Sequence, residues 1–160
     1  MEELTSAYPG VALLCRRYRQ KVLCVQQVVG TTKIESNYVR GRARPLLRGA
    51  ASVAILAHFS NYQLRKLYDR VPGDFAAEGL GESLAEVRDT LKSMRQRGWI
   101  ATEGQVTPGV TGLAAPIFDS KDDVVGSLSL TVPGSSLPEE RRQAIGGRVA
   151  FCARVVSKSL

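Results

Sequence analysis

Histidine occurs once in this 160-residue chain, at His58. Without a second imidazole, a paired metal site has too few ligands. One imidazole that merely follows an apolar helix is also a poor candidate for a hydrolytic triad. Cysteine is nearly as scarce. Cys15, Cys24 and Cys152 are odd in number, widely spaced and set in apolar patterns, which reads as free buried thiols rather than a disulfide, a metal cluster or a nucleophile. No apolar run approaches the roughly 20 residues needed to cross a bilayer. Met1-Glu2-Glu3-Leu4 has neither the basic flank nor the apolar core of a secretory leader, so the chain reads as soluble and cytoplasmic. Missing too are a Gly-x-Ser-x-Gly elbow and a glycine-rich phosphate loop. The acidic pairs Glu2-Glu3, Asp122-Asp123 and Glu139-Glu140 fall at a terminus, a turn and a helix start, where solvation or the helix dipole accounts for them. Neither catalysis nor a metal or cofactor is expected.

What the chain does have is positive charge: 22 Lys and Arg against 15 Asp and Glu, a net charge of +7. Arg16, Arg17, Arg19 and Lys21 occupy a turn between two apolar runs, and Arg40, Arg42, Arg44 and Arg48 surround Pro45. Such clusters can track phosphates. Here they come without zinc spacing, aromatic interleaving or a helix-turn-helix pattern. Solvated turns and subunit contacts account for them better, with a basic nucleic-acid-binding domain as an alternative reading.

The length suits one domain, residues 1–160, with a substantial core. Val11–Cys15 and Val22–Val25 read as an opening hairpin, with a third strand expected over Thr32–Val39. A short, wholly apolar helix is expected to start near Gly49, and a second over Asn61–Arg70 before Pro72-Gly73. Leu84, Val87, Leu91 and Met94 form a helical stripe, opened by Ser83 and Glu86 at capping-box spacing and closed by Gly98. A strand is expected at Trp99–Thr102. Ser136 and Glu139, again at capping spacing, point to a terminal helix with its stripe at Ile145, Val149, Cys152 and Val156. The pattern predicts an α+β layer fold, a mostly antiparallel sheet covered by helices; periodicity does not fix the strand order.

Between these helices lies a hairpin of unusual composition. A Pro108-Gly109 turn leads into Gly112–Asp119, and Ser120–Asp123 returns the chain into Val124–Pro133. On the second strand Ser127, Ser129 and Thr131 share one face, and Leu128, Leu130 and Val132 the other. The leucine face reads as core. The hydroxyl face is either a solvent-facing surface or, beside the small Gly112, Ala114 and Ala115, the floor of a small polar cavity. Gly49-Ala50-Ala51-Ser52 likewise allows two readings: small residues at a helix start admit an anion to free backbone N–H groups, or they simply permit tight packing.

The run Gly109–Asp119 followed by Gly126-Ser127-Leu128-Ser129-Leu130-Thr131-Val132-Pro133 resembles the C-terminal effector-binding domain of IclR-type bacterial transcriptional regulators. So do Arg40–Ala57, with its proline, small-residue loop and short apolar helix, and Leu91–Trp99, ending in Arg-x-x-Gly-aromatic. These segments span most of the chain in order. The resemblance implies a GAF-like domain with a sheet of about six strands, which senses a small organic acid and controls DNA binding through the arrangement of subunits in a homodimer or homotetramer. DNA contact would belong to an N-terminal winged helix-turn-helix absent from this chain. The resemblance implies effector contacts at Ala50, Ala51, Ser52, Gly112, Ser129 and Thr131. An acidic residue of the family falls near Thr102, with Glu103 the closest carboxylate. Ser52-Val53 stands where family members often carry Gly-Lys, and Gly112 where others have a side chain, which would enlarge the pocket. An oligomerisation module without a functional pocket is the runner-up reading.

Overall fold

The computed structural model of the chain describes residues 1–31, 34, 40–134 and 136–160. Its strands are β1 (Val11–Tyr18), β2 (Lys21–Val29), β3 (Ala43–Pro45), β4 (Ile100–Glu103), β5 (Val110–Phe118) and β6 (Val124–Pro133). The helices are α1 (Glu2–Ala7), α2 (Ala50–Leu56), α3 (Asn61–Arg70), α4 (Pro72–Ala77), α5 (Leu84–Arg97) and α6 (Glu139–Ser157). All six strands join one antiparallel sheet in the order β3-β2-β1-β6-β5-β4, which confirms the expected α+β class.

Both tight turns have local causes. Arg19 takes a left-handed φ of 55° to reverse the chain between β1 and β2. At the other hairpin the Asp119 carboxylate accepts the backbone N–H groups of Lys121 and Asp123, at 2.9 and 3.0 Å. A short side chain that bonds its own backbone two residues on is a standard turn former.

Each face of the sheet carries its own helical layer and core. Val11, Leu13 and Cys15 of β1 and Val22 and Cys24 of β2 face α2 to α5, burying Ala54, Ile55, Phe75, Val87 and Leu91. Leu113, Ala115 and Ile117 of β5 and Leu128, Leu130 and Val132 of β6 face α1 and α6, burying Leu4, Ile145 and Val149. Helix α6 approaches the sheet closely because Gly146 lies against the ring of Trp99, where a β-carbon would overlap it.

The helix at Ala50 and the helix over Asn61–Arg70 form as expected. In α5, Ser83 accepts the N–H of Glu86 at 3.2 Å and Gly98 closes the helix at φ 79°. Glu86 reaches the N–H of Glu82 at 2.9 Å rather than that of Ser83, so the reciprocal half of the box is displaced by one residue. The terminal helix forms with its stripe of Ile145, Val149, Cys152 and Val156 on the core, and only its start departs from expectation. Its N-cap is Pro138, which makes no side-chain cap bond, so Ser136 does not serve there. The strand after α5 runs Ile100–Glu103, one residue later than expected. Helices α1 and α4 were not anticipated. The strand expected over Thr32–Val39 falls, apart from Ile34, outside the described residues. Among the described residues no helix is long and apolar enough to cross a membrane.

Candidate functional site

Strand β6 sits between β1 and β5, so its hydroxyl row has a wall on either side. Ser127, Ser129 and Thr131 pair with Pro116, Ala114 and Gly112 of β5 and with Cys15, Leu13 and Val11 of β1. Most of this face meets α2 and not solvent: Ser127 is 0% and Ser129 3% exposed, while Thr131 is half-buried. Small neighbours explain the close approach. Ser127 donates its hydroxyl to the Ala51 carbonyl at 2.8 Å, tying the strand to the first turn of the helix. Two residues on, the Ser129 hydroxyl is buried and has no hydrogen-bond partner among the described residues. Such a group ordinarily loses stability through desolvation, which makes an unsatisfied one worth explaining.

The entry to α2 is held from the other side by β4 and the loop after it. Thr102, paired with Gly112, accepts the N–H of Ala50 on its hydroxyl at 3.1 Å. The side-chain carbonyl of Gln105 accepts the N–H of Gly49 at 3.2 Å, while its backbone carbonyl accepts from Arg48 Nε at 2.7 Å. Between these groups lies a cavity of about 30 Å³, lined by Thr102, Gln105, Gly112 and Thr131 together with Val106 and Val110. That volume holds about one water molecule. A β-carbon at Gly112 would stand 3.4 Å from both the Ala50 methyl and the Thr102 hydroxyl, in contact with each.

Of the residues singled out in the sequence, Ala50, Ala51, Gly112, Ser129 and Thr131 thus converge on the space between α2 and the sheet. Ser52 is fully buried one residue further along α2, its N–H bonded to the Gly49 carbonyl at 3.1 Å. Glu103 is not brought to them. Strand alternation turns it to the opposite face, where it pairs with Arg142 of α6 at 3.0 Å, and Arg142 also holds Glu139 at 2.8 Å. Thr102, which falls near the place where the resemblance implies an acidic group, supplies a neutral hydroxyl there. Gln105 was missed: an isolated glutamine in a turn carries no pattern, and only the fold brings it to Gly49.

At the far end of this face the two buried thiols meet. Cys15 and Cys24 are register partners on β1 and β2, both free. The hydrogen bond with Cys24, and then burial, push the Cys15 thiol far up from its ordinary value. His58, after α2, packs edge-on to Phe118 with ring centroids 4.9 Å apart. Burial, and then the charge of Arg95, lower its pKa to about 4.

Residues 1–158 match the family described as bacterial transcriptional regulator IclR, C-terminal. The regulator BhcR of Paracoccus denitrificans is 27% identical over 137 residues, covering 85% of this chain and 49% of that protein. The transcriptional repressor IclR of Escherichia coli is 25% identical over 137 residues, covering 86% and 50%. The chain therefore spans about half the length of these curated relatives. In structure, the Thermotoga maritima IclR superposes with a TM-score of 0.85 at 17% identity, over 99% of this chain and 64% of that one. The C-terminal domain of a Vibrio cholerae regulator gives 0.80 at 24%, over 96% and 89%. The fold is accordingly the GAF-like one of these domains. Sequence and fold agree that the chain belongs to the IclR C-terminal family of bacterial transcriptional regulators.

Proposed function

We propose that the domain senses a small organic acid held between α2 and the hydroxyl row of β6, and that occupancy alters the arrangement of subunits that carry N-terminal DNA-binding domains. The observation that carries this reading is the Ser129 hydroxyl, 3% exposed and without a partner. It lies on the same face as Thr131, which lines the adjoining cavity. A carboxylate supplies the acceptor that this hydroxyl lacks. The cavity of about 30 Å³ admits no organic acid as it stands. Binding therefore requires the segment Gly104–Gly109 to move, and the glycines at its two ends have φ of 64° and 76°. Coupling to DNA follows only if the acid binds one subunit arrangement more tightly than the other.

The test is a thermal-shift screen with acetate, oxalate, succinate and benzoate, a series graded in size and charge. A ligand present at about 100 times its dissociation constant stabilises the domain by about 2.7 kcal/mol. The double variant Ser129→Ala, Thr131→Val should then weaken binding of any hit by on the order of 100-fold or more, since each charge-assisted hydrogen bond contributes roughly 1.5–3 kcal/mol. Undiminished affinity in the folded double variant would remove the hydroxyl row from the site.

The second reading, an oligomerisation module, is favoured by one feature of α6. Phe151 and Val155, one turn apart, are 47% and 51% exposed. Sedimentation at tens of micromolar tests it: the wild-type domain should self-associate, and Phe151→Glu should shift the species toward the 17.4 kDa monomer.

A further inference from the structure

A groove of about 720 Å³ lies on a different part of the surface, between the β1–β2 turn and the junction of α3 with α4. None of Ala50, Thr102, Gly112, Ser129 or Thr131 lines it. Its floor includes Leu46, Leu47 and Leu67, and its rim carries Arg17, Arg19, Lys21 and Arg70 against one carboxylate, Asp74. Sites for small ligands fall in the range of about 300–1,000 Å³, mostly apolar with a few placed polar groups, and this groove fits that description.

Arg17 has the charge of Asp123 nearby and Asp74 lines the groove, but Lys21 and Arg70 are not neutralised in this way. Among the described residues Lys21 and Arg70 form no ion pair, and both are exposed. Arg17 is held in place: its guanidinium stacks on the Phe59 ring at 4.2 Å and its Nε donates to the Arg19 carbonyl at 3.2 Å. Burial, opposed by the charge of Asp123, draws its pKa down from the ordinary arginine value. Arg17, Arg19 and Lys21 come from the hairpin turn and Arg70 from the end of α3. Two chain segments distant in sequence thus set positive charge around one apolar concavity.

We propose that this groove is a second ligand site, which takes an amphiphilic anion whose apolar part lies on Leu47 and Leu67 and whose charged head meets Lys21 and Arg70. A small carboxylate without an apolar tail lacks the floor contacts, and a neutral amphiphile lacks the rim contacts. The proposal is independent of the effector reading, because the two sites share no residue named for either.

Octanoate is the probe, titrated into the isotope-labelled chain and followed by amide NMR. Saturable shifts are expected at Lys21, Leu47 and Arg70. The double variant Lys21→Ala, Arg70→Ala should lose at least tenfold in affinity, and octanamide should bind at least tenfold more weakly than octanoate. Thr131→Val, in the other site, should leave octanoate affinity unchanged. Both substituted cations are exposed and form no ion pair among the described residues, so the variant should keep its fold, which the dispersion of the same spectra verifies. Equal affinity in the double variant, equal affinity for octanamide, or shifts confined to the surroundings of Thr131 would overturn the proposal.

Discussion

Ser127 and Ser129 point to the same face of β6, yet only one hydroxyl is bonded. Ser127 donates to the Ala51 carbonyl at 2.8 Å, whereas Ser129, equally enclosed, has no partner. Ser127→Ala should therefore destabilise the domain by about 1 kcal/mol, the usual net worth of a buried hydrogen bond. Ser129→Ala removes a desolvated, unsatisfied group and should leave stability unchanged or raise it. Urea unfolding of the two variants compares them directly. Equal destabilisation would mean that the Ser129 hydroxyl has a partner in solution.

Adjacent glycines in α6 should respond in opposite directions to alanine. At Gly146 the added methyl overlaps the Trp99 ring, and at Gly147 it meets nothing within 4 Å. Overpacking of this kind costs about 1–3 kcal/mol, while an exposed helical glycine replaced by alanine gains up to about 1 kcal/mol. Thermal melts should place Gly146→Ala below wild type and Gly147→Ala above it.

His58 gives the fold a one-sided acid sensitivity. Its pKa falls from 6.5 to about 4 on folding, because burial and then Arg95 disfavour the imidazolium. The unfolded chain thus binds more protons between these values. The stability contributed by the neutral ring is fully present above pH 6.5 and declines as the pH falls toward 4. His58→Phe should flatten this part of the stability profile; a decline of unchanged steepness would assign the acid response to other groups.

The three thiols should separate by accessibility. Cys15 and Cys24 are each 1% exposed, and Cys15 is further held protonated by its bond to Cys24 and by burial. Cys152 is only half-buried on α6. With a thiol-reactive disulfide reagent at neutral pH, Cys152 should react first; Cys24, whose pKa its bond with Cys15 lowers to about 7 but which is enclosed, should follow, and Cys15 should react only at the rate of global opening. Rapid labelling of Cys15 in the native protein would show that the β1–β2 edge opens locally.

Alternation made the layers legible. The period of two in Ser127–Val132 separates two faces, and the stripe from Leu84 to Leu91 places α5 in the core on the α2 side. What periodicity left open was which element covers the hydroxyl face; a row of serines fits water as well as it fits a helix with an alanine-rich start. Only the β1-β6-β5 order, a matter of long-range pairing, puts Ala51 within reach of Ser127. Glu103 shows the reverse failure. Next to Thr102 in sequence, it lies on the other face of the sheet, because a single step along a strand inverts the side chain. Gln105 acts on α2 through a loop conformation that no residue pattern encodes.

Strand β6 supplies alternate side chains to both cores, so the two helical layers are mechanically in series. Ser129 faces α2, while its neighbours Leu128 and Leu130 are packed in the layer of α6. A close-packed interior transmits displacement rather than absorbing it. Any shift a bound molecule imposes on the row of hydroxyls is carried by the same peptide units to the leucines behind them. If the proposed effector binds on the α2 side, the strand would therefore hand the displacement on to the long helix, to which its leucines are packed.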